Sequence, residues 1–232
     1  MKILLHTCCG NCAIVPVKTL REEGHRLAGF WFNPNIQPYK EYELRLNSLK
    51  DLSERWRFDM IYASEYNPDE YFKMLTPRHS FDNFSTTPFA KGPACPADRS
   101  EGGFSDANYI MQTEKSQFPQ RPKRCNSCYT LRLEKTAHEA VKNGFDAFTT
   151  TLLISPYQDF EQITAIGSAI AEKYNVLFFL RDFRPQFKRS MTIAKELGLY
   201  KQKYCGCIFS KAEREELKDK KAKIKIVEQK IH

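Results

Sequence analysis

The hydrophobic positions of the chain alternate between short continuous runs and segments with helical spacing. The continuous runs of its first part lie at residues 3–5, 27–32 and 58–63. Between them, Ile14, Val17 and Leu20 share one face of a helix, and so do Tyr42, Leu46, Leu49 and Leu52. Short runs that are apolar throughout are typical of strands buried in a parallel sheet. This part of the chain therefore predicts a βαβαβ unit with right-handed crossovers.

The same alternation returns in the second half of the chain. The predicted elements are a helix opening at residues 124–129 and ending at 141, a strand at 145–153, a helix at 160–174, a strand at 176–180 and a helix at 186–197. Ser155 and Pro156 are expected to start the helix at 160–174, with serine as the cap and proline in the first turn. We therefore expect the α/β class, with one domain over residues 1–210 and a parallel five-stranded sheet in the order 3-2-1-4-5.

Two segments depart from this alternation. After a short helix predicted at residues 69–75, residues 76–122 are rich in Pro, Gly, Ser, Asp and Asn and show no periodicity. An irregular segment of this length is a lid, a small insertion or a mobile loop, and the sequence does not choose among these. Residues 211–232 form a charged tail that is helical at first and then alternates between lysine and apolar residues.

Composition and charge narrow the class of protein. With 232 residues and 41% hydrophobic residues, the chain can bury a full core. The net charge of +8 suits a polyanionic partner, although it favours nucleic acid only weakly by itself. No secretion signal and no apolar stretch of the roughly 20 residues that span a membrane is seen, so we expect a cytoplasmic protein without a membrane partner. The oligomeric state is left open.

Eight cysteines are the strongest chemical signal. Cytoplasmic thiols are kept reduced, so metal or redox chemistry is favoured over disulfides. Seven of them stand in three close groupings: Cys8, Cys9 and Cys12; Cys125 and Cys128; Cys205 and Cys207. These positions follow strands or open helices, and in an open parallel sheet such segments converge where the strand order reverses. At the start of a helix, the dipole also favours the thiolates of Cys125 and Cys128.

The alternatives for these cysteines are a structural role, zinc, or dithiol redox chemistry. A structural or incidental role suits Cys95, which stands alone among prolines in the irregular segment. A zinc site takes four ligands, and seven cysteines are too many for one such site and awkward for two. A four-iron four-sulfur cluster takes four thiolates and leaves three for a second metal. A dithiol oxidoreductase pair at Cys125 and Cys128 is less favoured, because no strand precedes it.

Six segments of the sequence match one family across nearly the whole chain. They are Leu4-Leu-His-Thr-Cys-Cys-Gly-Asn-Cys12, Phe32-Asn-Pro-Asn-Ile36 with Glu41-Tyr42, Arg124-Cys-Asn-Ser-Cys-Tyr129 with Arg132-Leu133 and Thr136-Ala137, Phe145-Asp-Ala-Phe-Thr-Thr-Thr-Leu-Leu-Ile-Ser-Pro-Tyr-Gln158, Asp182-Phe-Arg-Pro185 and Gly198-Leu-Tyr-Lys-Gln-Lys-Tyr-Cys-Gly-Cys207. In these segments the chain resembles the epoxyqueuosine reductase family of the QueH type. It departs from the family in residues 81–118, which are longer than the family norm, and in Cys95, which has no family role.

The resemblance implies a fold like that of the adenine-nucleotide α-hydrolase (HUP-like) superfamily. It also implies a four-iron four-sulfur cluster, with a second iron or another divalent metal beside it. The implied thiolate ligands are Cys8, Cys9, Cys125, Cys128, Cys205 and Cys207. Position 12 is cysteine or aspartate in the family, so Cys12 is an expected ligand of the second metal. Which thiolate binds which metal is left open.

The implied reaction removes the epoxide oxygen of epoxyqueuosine at the wobble position of tRNA. Conversion of an epoxide to an alkene and water takes two electrons and two protons, so an external electron donor and a proton donor are needed. The candidate proton donors are His6, Tyr129, Tyr157 and Asp182.

Nucleic-acid binding is expected from basic and aromatic side chains. The basic region is residues 181–203, with Arg121, Lys123 and Arg124 beside the cysteines, and the candidate stacking residues are Tyr39, Tyr157 and Tyr204. Two alternative functions remain: an ATP-dependent tRNA thiolase-like enzyme, and a zinc-binding nucleic-acid module.

Overall fold

Five parallel strands form one sheet in the order β3-β2-β1-β4-β5, as predicted. The structure is a computed structural model, which describes residues 1–63, 66–75 and 120–231 and, of these, the side chains up to residue 222. The strands are β1 (Lys2–His6), β2 (Arg26–Trp31), β3 (Asp59–Tyr62), β4 (Ala147–Thr150) and β5 (Leu177–Phe178). In the central strand, Ile3 lies opposite Leu27 on one side and Ala147 on the other. The expected α/β class and strand order are confirmed.

Helices cover both faces of this sheet. They are α1 (Gly10–Glu22), α2 (Tyr39–Trp56), α3 (Asp69–Leu75), α4 (Lys123–Lys142), α5 (Phe160–Tyr174), α6 (Phe187–Glu196) and α7 (Ile208–Ile231). Successive strand residues point to opposite faces. Leu5 accordingly packs with residues of α1, α2 and α6, whereas Leu4 packs with residues of α4 and α5. Among the described helices, none is long and apolar enough to cross a membrane.

The first helix begins earlier than its apolar periodicity predicts. It starts at Gly10, four residues before Ile14, so the turn after β1 is only three residues long and Cys12 lies in the first helical turn. The Sγ atom of Cys9 caps the helix, because it accepts a hydrogen bond from the backbone N–H of Cys12 at 3.4 Å. Gly10 is required by close packing, since a Cβ atom there would lie 2.7 Å from the carbonyl oxygen of Ser48.

Two further predicted boundaries are wrong. The fourth strand ends at Thr150 and passes into a 3-10 turn, Thr151–Ile154. The next helix is capped by Asp159, whose Oδ1 accepts from the N–H of Gln162 at 3.0 Å, and not by Ser155. The alternation seen near the end of the sequence lies within the single helix Ile208–Ile231, and the predicted limit between residues 210 and 211 falls inside that helix. Most of the predicted irregular segment, including Cys95, lies outside the described residues.

Candidate metal centre

The cysteines gather at the carboxyl edge of the sheet, beside the point where the strand order reverses. The loop after β1 and the turn after β4 are joined there by two contacts between Cys8 and Thr151. The Cys8 N–H donates to Oγ1 of Thr151 at 3.2 Å, and that hydroxyl donates to Sγ of Cys8 at 3.4 Å. The position expected for the site from the parallel topology is therefore where the first cysteines lie.

Cys8, Cys9 and Cys12 form the cysteine triad. Their sulfur atoms all lie within 4.8 Å of one another and are buried, which suits a single metal ion. Hydrogen bonds from Cys12 and Cys9 hold the pKa of the Cys8 thiol well below its ordinary value, whereas burial raises the pKa of Cys9. The Sγ atom of Cys12 also accepts from Nε2 of Gln202 at 3.5 Å. A thiolate with two further sulfur ligands fits iron or zinc better than a hard cation.

The other four cysteines of the described residues line the four-cysteine pocket. Cys125 and Cys128 come from the first two turns of α4, and Cys205 and Cys207 come from the loop that precedes α7. The Sγ atoms of Cys205 and Cys207 lie 3.9 Å apart. The hydrogen bond from Cys207 lowers the pKa of Cys205 to about 5, while burial raises the pKa of Cys128 to about 11. Six other residues complete the lining: Asn35, Tyr71, Arg124, Tyr129, Arg132 and Gln158.

A buried arginine on α2 holds the loop that carries Cys205 and Cys207. Arg45 is 1% exposed and pairs with Glu41 through Nε at 2.8 Å. Its Nη2 and Nη1 atoms donate to the carbonyl oxygens of Tyr204 at 2.8 Å and Cys205 at 3.1 Å. The same loop needs glycine at position 206, where φ is +130°. The sequence pattern does not single out Arg45, because its charge suggests a solvent-facing helix position.

A second buried arginine lies between the triad and the pocket. Arg132 donates through Nη1 to Sγ of Cys128 at 3.8 Å, through Nε to Nε2 of His6 at 3.3 Å, and through Nη2 to Oδ1 of Asn33 at 3.0 Å. It is 3% exposed. Its position four residues after Cys128 on one helical face is the signal that could have identified it.

The four predicted proton donors occupy different environments. Burial lowers the pKa of His6 to about 3, so its imidazole is neutral. Tyr129 lines the pocket, and its hydroxyl donates to Oε1 of Gln158 at 2.8 Å. Tyr157 is 78% exposed. Asp182 accepts from Nε and Nη2 of Arg184, and these hydrogen bonds lower its pKa. Of the four, Tyr129 is the one that lines the four-cysteine pocket.

Several polar atoms of the pocket are buried without a hydrogen-bond partner among the described residues. They are the hydroxyl of Tyr71, Oδ1 of Asn35 and Nε of Arg124. Such atoms cost free energy unless something pairs with them. Two guanidinium groups, those of Arg124 and Arg132, also face the thiols. Four thiols with adjacent cations and unpaired polar atoms fit an anionic metal group held by sulfur.

Several cations of the predicted basic surface already form ion pairs with carboxylates of this chain. Arg181 pairs with Glu23, and Arg184 pairs with Asp182. Beside the cysteines, Arg121 and the buried Arg124 both pair with Glu213. The exposed cations that remain in residues 181–203 are Lys188, Arg189, Lys195, Lys201 and Lys203.

The three predicted stacking tyrosines differ in how accessible their rings are. Tyr39 and Tyr157 are 56% and 78% exposed, so their rings are accessible. Tyr204 instead donates to the carbonyl oxygen of Gln37 and packs on Arg45, with the guanidinium carbon 5.5 Å from the ring centre.

Fold and site together define an α/β protein with a cysteine-rich site that can bind metal at the reversal point of a parallel sheet. The family model described as "Epoxyqueuosine reductase QueH" matches residues 3–87 and 94–213. The chain therefore belongs to the QueH family of epoxyqueuosine reductases, and the predicted class of enzyme, an oxidoreductase, is confirmed.

Curated relatives are similar in sequence to this protein over almost the full chain. The chain is 33% identical over 216 residues to epoxyqueuosine reductase QueH of Thermotoga maritima, covering 92% of both proteins. It is 30% identical over 213 residues to the protein of that name from Dehalococcoides mccartyi, covering 92% of this chain and 94% of that one. Among solved structures, a predicted tRNA methyltransferase subunit from Methanocaldococcus jannaschii is similar, with 12% identity and a TM-score of 0.47. That last likeness is too distant to bear on function.

Proposed function

We propose that this protein reduces epoxyqueuosine to queuosine at the wobble position of tRNA, which is the activity suggested by the name of its family. The observation that carries the proposal is the arrangement of seven cysteines in two adjacent groups at the reversal point of the sheet. The overall reaction is balanced by two electrons from an external donor and two protons, which yield an alkene and water.

The two groups of cysteines differ in the number and spacing of their sulfur atoms, which supports a different metal group at each. The triad has three sulfur atoms close enough for one ion, which suits a mononuclear iron. The four-cysteine pocket offers four thiols from two segments, which suits a four-iron four-sulfur cluster. When bound, a cluster would supply single electrons and an iron would act as a Lewis acid toward the epoxide oxygen.

The protein's own residues supply charge balance and protons. Arg124 and Arg132 offset the negative charge of the thiolates in the pocket, where the dielectric is low. Tyr129 is the proposed proton donor, because it lines the pocket and because burial raises its pKa, so that the phenol keeps its proton. His6 is neutral and hydrogen-bonded to Oγ1 of Thr150 at 2.9 Å, which suits orientation of Arg132 better than proton donation.

The surface near the pocket suits a single-stranded loop of tRNA. Tyr157 is exposed one residue before Gln158, which lines the pocket, so its ring is available to stack on a base. The exposed lysines and arginine of α6, Lys188, Arg189 and Lys195, can neutralise phosphates.

The ATP-dependent thiolase-like alternative is disfavoured by the loop after β1. Such an enzyme needs that turn and the start of α1 to bind pyrophosphate through free N–H groups. Here the N–H of Cys12 donates to Sγ of Cys9, and buried thiols occupy the turn. Metal analysis separates the remaining alternative, since zinc without acid-labile sulfide would indicate a zinc module.

The direct test is incubation of the protein, purified without oxygen, with epoxyqueuosine-bearing tRNA and a chemical reductant. Mass analysis of the released nucleosides should show loss of one oxygen atom from the modified base and formation of queuosine. Iron and sulfide are measured on the same preparation. A preparation that contains iron and sulfide but leaves epoxyqueuosine unchanged would contradict the proposed activity.

A further inference from the structure

Tyr71 is a buried tyrosine of the four-cysteine pocket that the proposed reaction does not use. It lies on α3, is 0% exposed, and packs in one cluster with Cys128, Cys207 and Leu75. Its hydroxyl is among the buried polar atoms that have no hydrogen-bond partner in the described part of the chain. A tyrosine phenol has an ordinary pKa of about 10, so it keeps its proton at neutral pH. The hydroxyl is therefore a hydrogen-bond donor on a side chain packed against two of the cysteines.

The position of Tyr71 distinguishes this donor from Tyr129. The hydroxyl of Tyr129 already donates to Gln158 and accepts from the N–H of Asp159 at 3.3 Å. Tyr71 has no such partner and no exposed surface, so a substrate cannot reach it without displacing the packed side chains around it. The acceptors against which its side chain packs include the sulfur atoms of Cys128 and Cys207.

We propose that the Tyr71 hydroxyl donates a hydrogen bond to a sulfur atom of the iron-sulfur group in the four-cysteine pocket and thereby raises its reduction potential. The inference rests on the proposed function, in that it needs such a group to be bound there. Adding one electron to the group increases the negative charge on its sulfur atoms and breaks no bond. A hydrogen bond to sulfur is stronger in that state, so it favours reduction.

The test is a redox titration of the cluster in purified protein, followed by its absorbance and by electron paramagnetic resonance. Tyr71→Phe removes the donor and keeps the ring, so the midpoint potential should fall. A tenfold loss in the equilibrium constant for reduction corresponds to about 59 mV for a one-electron couple. The matched control is Tyr42→Phe, because that buried hydroxyl instead accepts from Nε1 of Trp31 at 2.7 Å in another part of the core. It should leave the potential unchanged.

A second variant keeps the shape of the side chain. Incorporation of 3-fluorotyrosine at position 71 makes the phenol a stronger donor, so the midpoint potential should rise. If Tyr71→Phe does not retain the cluster, the midpoint potential of the fluorinated protein tests the inference instead. An unchanged potential in the fluorinated protein, or in a cluster-loaded Tyr71→Phe protein, overturns the inference. Wild-type protein that contains no iron and sulfide would instead overturn the proposed cofactor, and the two failures are thus distinguishable.

Discussion

The Nη1 atom of Arg132 lies 3.8 Å from the Sγ atom of Cys128, so a buried cation contacts one of the four thiols of the pocket. The same guanidinium reaches His6, two residues before the cysteine triad. The two sulfur sites are thus connected through one side chain. A buried arginine with no carboxylate among its described hydrogen-bond partners is balanced most effectively by thiolate.

Loss of this cation should weaken metal retention. We expect Arg132→Gln to lose its cluster to a chelator about tenfold faster than wild type, because a charge-assisted hydrogen bond to Cys128 is removed. Arg132→Lys keeps the charge but not the three-way geometry and should be intermediate. Lys135→Gln, on the exposed part of the same helix, is the control. Equal rates of iron release for Arg132→Gln and wild type would show that the contact has no role in retention.

The division between the two sulfur sites can be measured by stoichiometry. Cys207→Ala, like Cys125→Ala, should abolish acid-labile sulfide, the brown colour and turnover. Cys12→Ala should keep sulfide and lose about one iron per chain, because a mononuclear site contains no sulfide. Cys95→Ala, at a position outside the described residues, is expected to change neither quantity. Loss of sulfide in Cys12→Ala, or full sulfide in Cys207→Ala, would reverse the assignment.

Arg45 should contribute more to stability than an exposed arginine on the same helix. Arg45→Met removes the buried ion pair with Glu41 and the hydrogen bonds to two carbonyl oxygens of the 204–207 loop, and breaking a buried pair of this kind costs about 3–5 kcal/mol. The matched control is Arg55→Met, since Arg55 makes only an exposed pair with Asp51 at the same spacing and an exposed hydrogen bond to the carbonyl oxygen of Leu197, for which a loss of about 1 kcal/mol is expected. Denaturant unfolding of both metal-free variants gives the comparison. Similar midpoints would contradict a special role for Arg45.

Removal of the proposed proton donor should slow the chemical step. We expect Tyr129→Phe to reduce the single-turnover rate by roughly 100-fold or more, within the usual range for a general acid, without changing tRNA binding. Tyr174→Phe is the control, because that hydroxyl contacts Glu134 away from the pocket. A wild-type rate in a cluster-loaded Tyr129→Phe protein would exclude Tyr129 as the proton donor and leave the other predicted donors as candidates.

Binding of tRNA should depend on salt through the exposed cations of α6. Replacement of Lys188, Arg189 and Lys195 by glutamine should weaken binding and make the slope of log K against log salt shallower by about 0.7 to 0.9 for each lost phosphate contact. Arg26→Gln is the control, since Arg26 is exposed at the opposite, amino-terminal end of the strands. An unchanged slope in the triple variant would remove α6 from the proposed interface.

Local patterns in the sequence were sufficient for the order and type of the elements. Apolar runs such as residues 3–5 and the spacing of Ile14, Val17 and Leu20 depend on neighbours within one or two turns, so strands and helices can be predicted from them. The parallel alternation then places the ends of β1 and β4 together, which is why Cys8 was expected at the site. Boundaries were less predictable. The start of α1, for example, depends on a cap made by the sulfur of Cys9.

Tertiary structure alone decided how the cysteines divide and which charged and polar groups surround them. Arg45 and Tyr71 each have an ordinary sequence context, and their burial depends on segments far away in the chain. Arg45 contacts Cys205, 160 residues away, and Arg132 contacts His6, 126 residues away. Such contacts follow from which elements the sheet brings side by side, and no local pattern encodes them. The sequence by itself thus predicted that thiols would meet at one edge of the sheet, and the packing around that edge determined their grouping and charge balance.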